Sequence, residues 1–163
     1  AGDRGMSREY SDTEQRNLDA SRRLFAPPPG FDPATLFADD AVWWNGLPRL
    51  HAPGAGCEHR GIAAIRRLMG SANADTQHLG IDAYDLGTTR YEDLVELVDG
   101  DWVMRQHTMH AKTKAGRDYT NVYCFVMRFD AAGRIVHLTE HWNSWWADRF
   151  LFDQLAPTPA HPL

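Results

Sequence analysis

The hydrophobic pattern changes period about halfway along the chain. In the first part, apolar positions follow a helical repeat in two places. Leu18, Leu24 and Phe25 give a partial apolar face behind Ser11, and Ser11 with Glu14 has the Ser-x-x-Glu spacing of a capping box. Pro27-Pro28-Pro29-Gly30 ends that helix, and Asp32-Pro33 reads as the cap and first-turn proline of a short second one. From Gly61, the residues Ile62, Ile65, Leu68 and Met69 predict a third helix. Between them, Ala41 to Asn45 reads as a strand, and the Pro- and Gly-rich stretch 47–56 as a mobile loop near a pocket mouth.

Beyond residue 75 the period is two. Strands are predicted over 76–87, 91–98, 102–113, 118–130 and 134–146. Asp99-Gly100 is a strong hairpin signal, with weaker ones at Lys114-Ala115-Gly116 and Ala131-Ala132-Gly133. Long hairpins after three helices predict an α+β fold: a cone-shaped, curved antiparallel or mixed sheet with the three N-terminal helices closing its concave face. Nothing repeats, so 1–163 reads as one domain, with about 1–10 and 156–163 flexible and Met6 a candidate start residue.

Composition narrows the function classes. Hydrophobic residues make up 43% and charged residues 24%, ordinary for a soluble domain. No apolar run reaches membrane-spanning length and no signal peptide is evident, so no membrane partner and a cytoplasmic setting are expected. The formal net charge of -5, with no basic stripe, argues against nucleic acid. Cys57 and Cys124 form neither a disulfide framework nor a metal-ligand spacing. Four of the 6 tryptophans fall in the pairs Trp43-Trp44 and Trp145-Trp146. On strands each pair puts one ring inside and one outside, and the outward rings suggest a subunit interface.

Two segments, FADDAVWWNG followed by HRGIAAIRRLM, and NVYCFVMRFDAAGRIVHLTEHWN, resemble the SnoaL-like, nuclear-transport-factor-2-like superfamily. The resemblance implies the same helix–strand order, homodimerisation, and a pocket for one small hydrophobic molecule. It does not fix a reaction, since the fold hosts isomerases, dehydratases, polyketide cyclases, epoxide hydrolases and non-catalytic binders. Ketosteroid isomerases resemble the C-terminal segment, but Asn45 stands at their carboxylate base and Phe125 at their oxyanion-hole acid. Limonene epoxide hydrolases are more similar at the polar positions. Their aromatic and asparagine fall on Trp43 and Asn45, their arginine on Arg105 and their water-activating aspartate on Glu140, while His107 replaces their second aspartate.

Strand alternation gathers these residues independently of any family. Trp43 with Asn45, Arg105 with His107 and Met109, Asn121 with Tyr123 and Phe125, and Leu138 with Glu140 and Trp142 each share a face. Facing inward, they would line a mostly apolar cavity with a few polar groups. Arg128 and His137 fall out of phase and are expected outside. Glu140 is then the candidate general base, with Asn45 orienting water or substrate. Arg105 would hold the Glu140 carboxylate, and His107 would be the proton donor. Tyr119 is in phase with Asn121 and Tyr123 and could add a hydroxyl.

Structural readings stand beside these. Arg105 and Glu140 could be a cross-strand ion pair only, His107 a hydrogen-bonded core histidine, Asn45 a turn residue, and Tyr119 simple packing. His107 and His110 face opposite ways and His137 with His141 lies on the outer face, so neither metal nor cofactor is expected. The leading expectation is acid–base chemistry on a hydrophobic substrate, in epoxide-hydrolase-like form or as a dehydratase, isomerase or cyclase. The alternatives are a non-catalytic ligand binder and a dimerisation module.

Overall fold

The computed structural model describes residues 9–46, 57–71, 83–147 and 150–151. Helix α1 (Asp12–Phe25) starts at the expected capping box, with Glu14 N donating to Ser11 Oγ at 3.2 Å and Ser11 N donating to Glu14 Oε2 at 2.9 Å. The second helix is a single 3-10 turn (Pro33–Leu36), capped by Asp32, whose Oδ1 accepts from Ala34 N at 3.0 Å. Helix α2 spans Ile62–Ser71.

Among the described residues, six strands, β1 (Phe37–Trp44), β2 (Glu58–Arg60), β3 (Tyr84–Asp99), β4 (Trp102–Thr113), β5 (Asp118–Phe129) and β6 (Ile135–Trp142), form one sheet in the order β2-β1-β6-β5-β4-β3. The sheet is curved and open, and it is mixed because β1 runs parallel to β6 while every other pair is antiparallel. Helix α1 lies against β3 and β4, and α2 against β1 and β2. Asn17 Nδ2 ties α1 to the β3–β4 turn by donating to Gly100 O at 3.1 Å. The core between helices and sheet includes Leu18, Leu24, Ile65, Val103, Met127, Ile135 and Leu138.

Three features differ from the sequence expectation. The polar three-residue strand β2 carries no hydrophobic signal and pairs with β1 at the sheet edge. In place of two strands over 76–87 and 91–98 there is the single strand β3. Two register shifts leave the strand unbroken, one between Asp85 and Arg90 that spans Gly87 and one between Glu92 and Val95 that spans Asp93. The last strand stops at Trp142, because Asn143 Oδ1 accepts from Trp146 N at 2.9 Å and starts a short helix, α3 (Ser144–Ala147). Trp145 and Trp146 therefore sit on a helical turn, with Trp145 exposed and Trp146 packed on Phe150. Helices α1 and α2 cover opposite ends of this open, curved sheet, in keeping with the expected α+β arrangement. The expected loop 47–56, the first part of the 76–87 strand and both flexible termini fall largely or wholly outside the described residues. No helix among the described residues is long and apolar enough to cross a membrane.

Candidate functional site

Strands β4, β5 and β6 alternate regularly, so one face of each is buried. Arg105, His107 and Met109 from β4, Asn121, Tyr123 and Phe125 from β5, and Leu138 and Glu140 from β6 are all buried. Trp142 is half-buried, and Trp43 and Asn45, at and just after the end of β1, are buried. The register places them side by side: His107 opposes Tyr123, Arg105 opposes Phe125, Phe125 opposes Glu140, and Tyr123 opposes Trp142. Arg128 is exposed and His137 is half-buried, its Nε2 beside Thr139 Oγ1 at 3.1 Å.

Two polar centres occupy this inner face, separated by β5 and so on the order of 10 Å apart at the backbone. The first is Glu140. Its Oε2 accepts from Trp43 Nε1 at 2.9 Å, a buried bond from a neutral donor. Burial raises the carboxyl pKa to about 8, with the indole bond opposing only part of the shift. Beside it lies a phenol cluster. Tyr119 and Tyr123 hydroxyls are 3.1 Å apart, Asn121 Nδ2 donates to Tyr119 Oη at 2.9 Å, and Tyr84 hydrogen-bonds Tyr123. Burial raises the pKa of all three phenols, Tyr119 to about 12, and an ionised Glu140 pushes the same way.

The second centre is His107 with Arg105. Arg105 Nε donates to His107 Nδ1 at 3.1 Å, and Arg105 Nη1 donates to Glu96 Oε1 at 3.0 Å. Burial first, and the neighbouring Arg105 charge second, lower the His107 pKa to about 4, so the imidazole is neutral at physiological pH. Its ring is enclosed by Tyr91 (centroids 4.5 Å apart), Phe25 (5.3 Å), Phe125 (5.6 Å) and Tyr123 (6.1 Å).

These contacts change three expected roles. Arg105 pairs with Glu96, its cross-strand neighbour, and not with Glu140, which is hydrogen-bonded by Trp43. His107 carries no extra proton to give at neutral pH, though its remaining N–H can donate a hydrogen bond. Glu140 rests mainly as the acid, not the carboxylate. Asn45 has a structural part: its carbonyl accepts from Trp142 Nε1 at 2.7 Å, and its N–H donates to Cys57 O at 3.1 Å. The Tyr119 hydroxyl does join the cluster and does not serve merely as packing.

Glu96, Tyr84 and Tyr91 from β3 complete the inner face without having been singled out from the sequence, and Phe25, part of the apolar helix face read there, packs on it from α1. Glu96 was concealed by the second shift in β3. Counting alternate residues from Tyr91 puts Glu96 outside, but the extra residue between Glu92 and Val95, where Asp93 adopts φ 53°, inverts the phase and turns Glu96 inward. Among the described residues no three His, Cys, Asp or Glu side chains are grouped as a metal site.

No curated protein sequence matches the chain. Solved structures do match it as folds. A protein described as an isomerase from Bacillus subtilis aligns with a TM-score of 0.64 and 15% identity, covering 88% of this chain and 97% of its own. A protein described as a SnoaL-like polyketide cyclase from Jannaschia sp. CCS1 aligns at 0.64 and 12%, covering 93% and 100%. A phenazine biosynthesis-related protein from Pseudomonas aeruginosa aligns at 0.62 and 14%, covering 94% and 92%. At these identities the likeness establishes architecture only. The model of the SnoaL-like domain matches residues 10–138, most of the chain. The chain belongs to the SnoaL-like domain family.

Proposed function

We propose that this protein is a small-molecule enzyme that moves a proton on an enolisable carbonyl compound held against the inner sheet face, as an isomerase or cyclase does. The observation that carries the reading is Glu140, a buried carboxyl whose pKa of about 8 lies close to working pH. A base with that pKa is far stronger than an ordinary carboxylate, and roughly a tenth of it is ionised at pH 7. In its ionised form Glu140 would take a proton from the carbon next to a substrate carbonyl. The negative charge would move to the carbonyl oxygen, where the neutral imidazole N–H of His107 donates a hydrogen bond. Returning the proton to another carbon gives an isomer. Attack of the enolate carbon on a second carbonyl of the same molecule breaks that carbonyl's π bond and gives a ring, the resulting alkoxide taking the proton held by Glu140.

The aromatic floor supports a flat, conjugated substrate. Tyr123 stacks on Phe125 with centroids 5.9 Å apart and on Trp142 at 5.3 Å, between the two polar centres. Engagement of Arg105 by Glu96 favours this reading over epoxide opening, in which an arginine would accompany the water-activating carboxylate. The partner in this reading is a second copy of the chain on the outer sheet face, where Leu97, Met104, Val126, Thr139 and Trp44 form one row across five strands.

The test is solvent deuterium exchange. Aromatic ketones and β-dicarbonyl compounds are incubated in heavy water with the wild type and with Glu140→Gln. The wild type is expected to label the α-carbon of at least one, and Glu140→Gln to slow labelling at least about a hundredfold with ligand affinity retained. Tight binding without exchange in the wild type would instead identify a non-catalytic binder.

A further inference from the structure

We propose that Glu96 is a positioning residue for His107, acting through Arg105. The carboxylate on β3 holds the Arg105 guanidinium so that its Nε–H faces His107 Nδ1, which leaves the imidazole's only proton on Nε2. The tautomer follows from donor chemistry alone. A guanidinium has donors and no acceptor, so the 3.1 Å contact makes Nδ1 the acceptor. The ring nitrogen left to meet a ligand is Nε2–H, a donor. His107 therefore selects ligands that present a hydrogen-bond acceptor, such as a carbonyl or enolate oxygen. The catalytic value of that choice rests on the function proposed above, but the tautomer does not.

The chain of contacts is built to hold one geometry. Glu96 Oε1 takes Arg105 Nη1 at 3.0 Å, while Glu96 Oε2 is occupied by Arg22 Nε at 2.9 Å and Nη2 at 2.8 Å, from α1. Glu96 thus bridges two guanidinium groups and cannot swing without breaking both sets of bonds. Arg105 is fixed from its faces as well, with its Cζ 4.7 Å from the Phe25 ring centroid and 5.8 Å from that of Tyr91. The Arg105 and Glu96 side chains are only 7% and 10% exposed, so water does not substitute readily for either partner. Without an acceptor oxygen at residue 96, the buried guanidinium would lose its hydrogen-bond partner there and turn toward solvent. The bulge at Asp93 is the backbone device that brings Glu96 to the inner face at all.

Imidazole nitrogen NMR on ligand-free protein tests this, with His107 assigned through its backbone. The wild type is expected to show one tautomer, protonated at Nε2 and bare at Nδ1. Glu96→Gln keeps an acceptor oxygen for Arg105 and should keep that tautomer, whereas Glu96→Ala should admit Nδ1–H. A wild-type His107 protonated at Nδ1, or a Glu96→Ala spectrum identical to wild type, would overturn the proposal. If Glu96→Ala does not fold, exchange of the Arg105 Nε–H in the wild type decides. Strong protection supports the clamp, and rapid exchange refutes it. Because the spectrum is taken without substrate, a wild type that fails to label any carbonyl compound while showing the Nε2–H tautomer would count against the proposed function alone.

Discussion

A carboxyl group that gives up water for a single indole N–H keeps its proton into the neutral range, and an imidazole buried beside a guanidinium refuses one. These two shifts have opposite consequences for stability. Glu140 has a folded pKa of about 8 against an ordinary 4.5, so its contribution is complete below 4.5 and is lost as pH rises through 8. His107 has a folded pKa of about 4 against 6.5, so its contribution is complete above 6.5 and is lost as pH falls through 4. Between 4.5 and 6.5 the two oppose each other. From 6.5 to 8 Glu140 acts without that opposition, and urea melts should lose on the order of 1–2 kcal/mol over that interval. Glu140→Gln should flatten this loss, and His107→Gln should flatten the acid limb below 4.5. On the proposed mechanism, the exchange rate should climb with pH to a plateau above about 8, because only the ionised Glu140 is the base.

Among the elements, β4 and β5 were the most legible. Their two-residue period runs unbroken for 12 residues each, which is why Arg105, His107, Met109, Asn121, Tyr123 and Phe125 could be grouped from the sequence. The period gives a side chain's face but not its partner. That is why Arg105 was matched to Glu140 two strands away, when its carboxylate comes from the neighbouring strand. Strand β3 hid that carboxylate because its phase depends on a bulge, and no composition signal marks Asp93 as the left-handed residue. Replacing Asp93 by Val should cost about 1–2 kcal/mol in denaturant melts, from its positive φ and the lost 3.0 Å bond from Thr108 Oγ1. A smaller cost, about 1 kcal/mol, is expected for Ser11→Ala, which removes half of the capping box that the sequence displayed openly.

The whole molecule presents two unlike sheet faces. Helices α1 and α2 lie over the inner one, whereas the outer one leaves Leu97 59% and Val122 52% exposed, with Trp102 nearby on the same side. With the row through Met104 and Val126, these side chains offer the surface on which the proposed second copy would dock. On the proposed dimer, sedimentation equilibrium should give twice the chain mass for the wild type. Leu97→Glu with Val122→Glu should give the monomer with its inner-face chemistry unchanged. A wild-type monomer at high concentration would remove the second copy from the account. The inner face itself rests on Glu140 holding its proton between Trp43 and the tyrosines, and infrared titration of that carboxyl reads this most directly. A protonated carboxyl band that is absent from Glu140→Gln should disappear with a midpoint near pH 8. Its disappearance below pH 5 would show an ordinary, solvated carboxylate and contradict the proposed site.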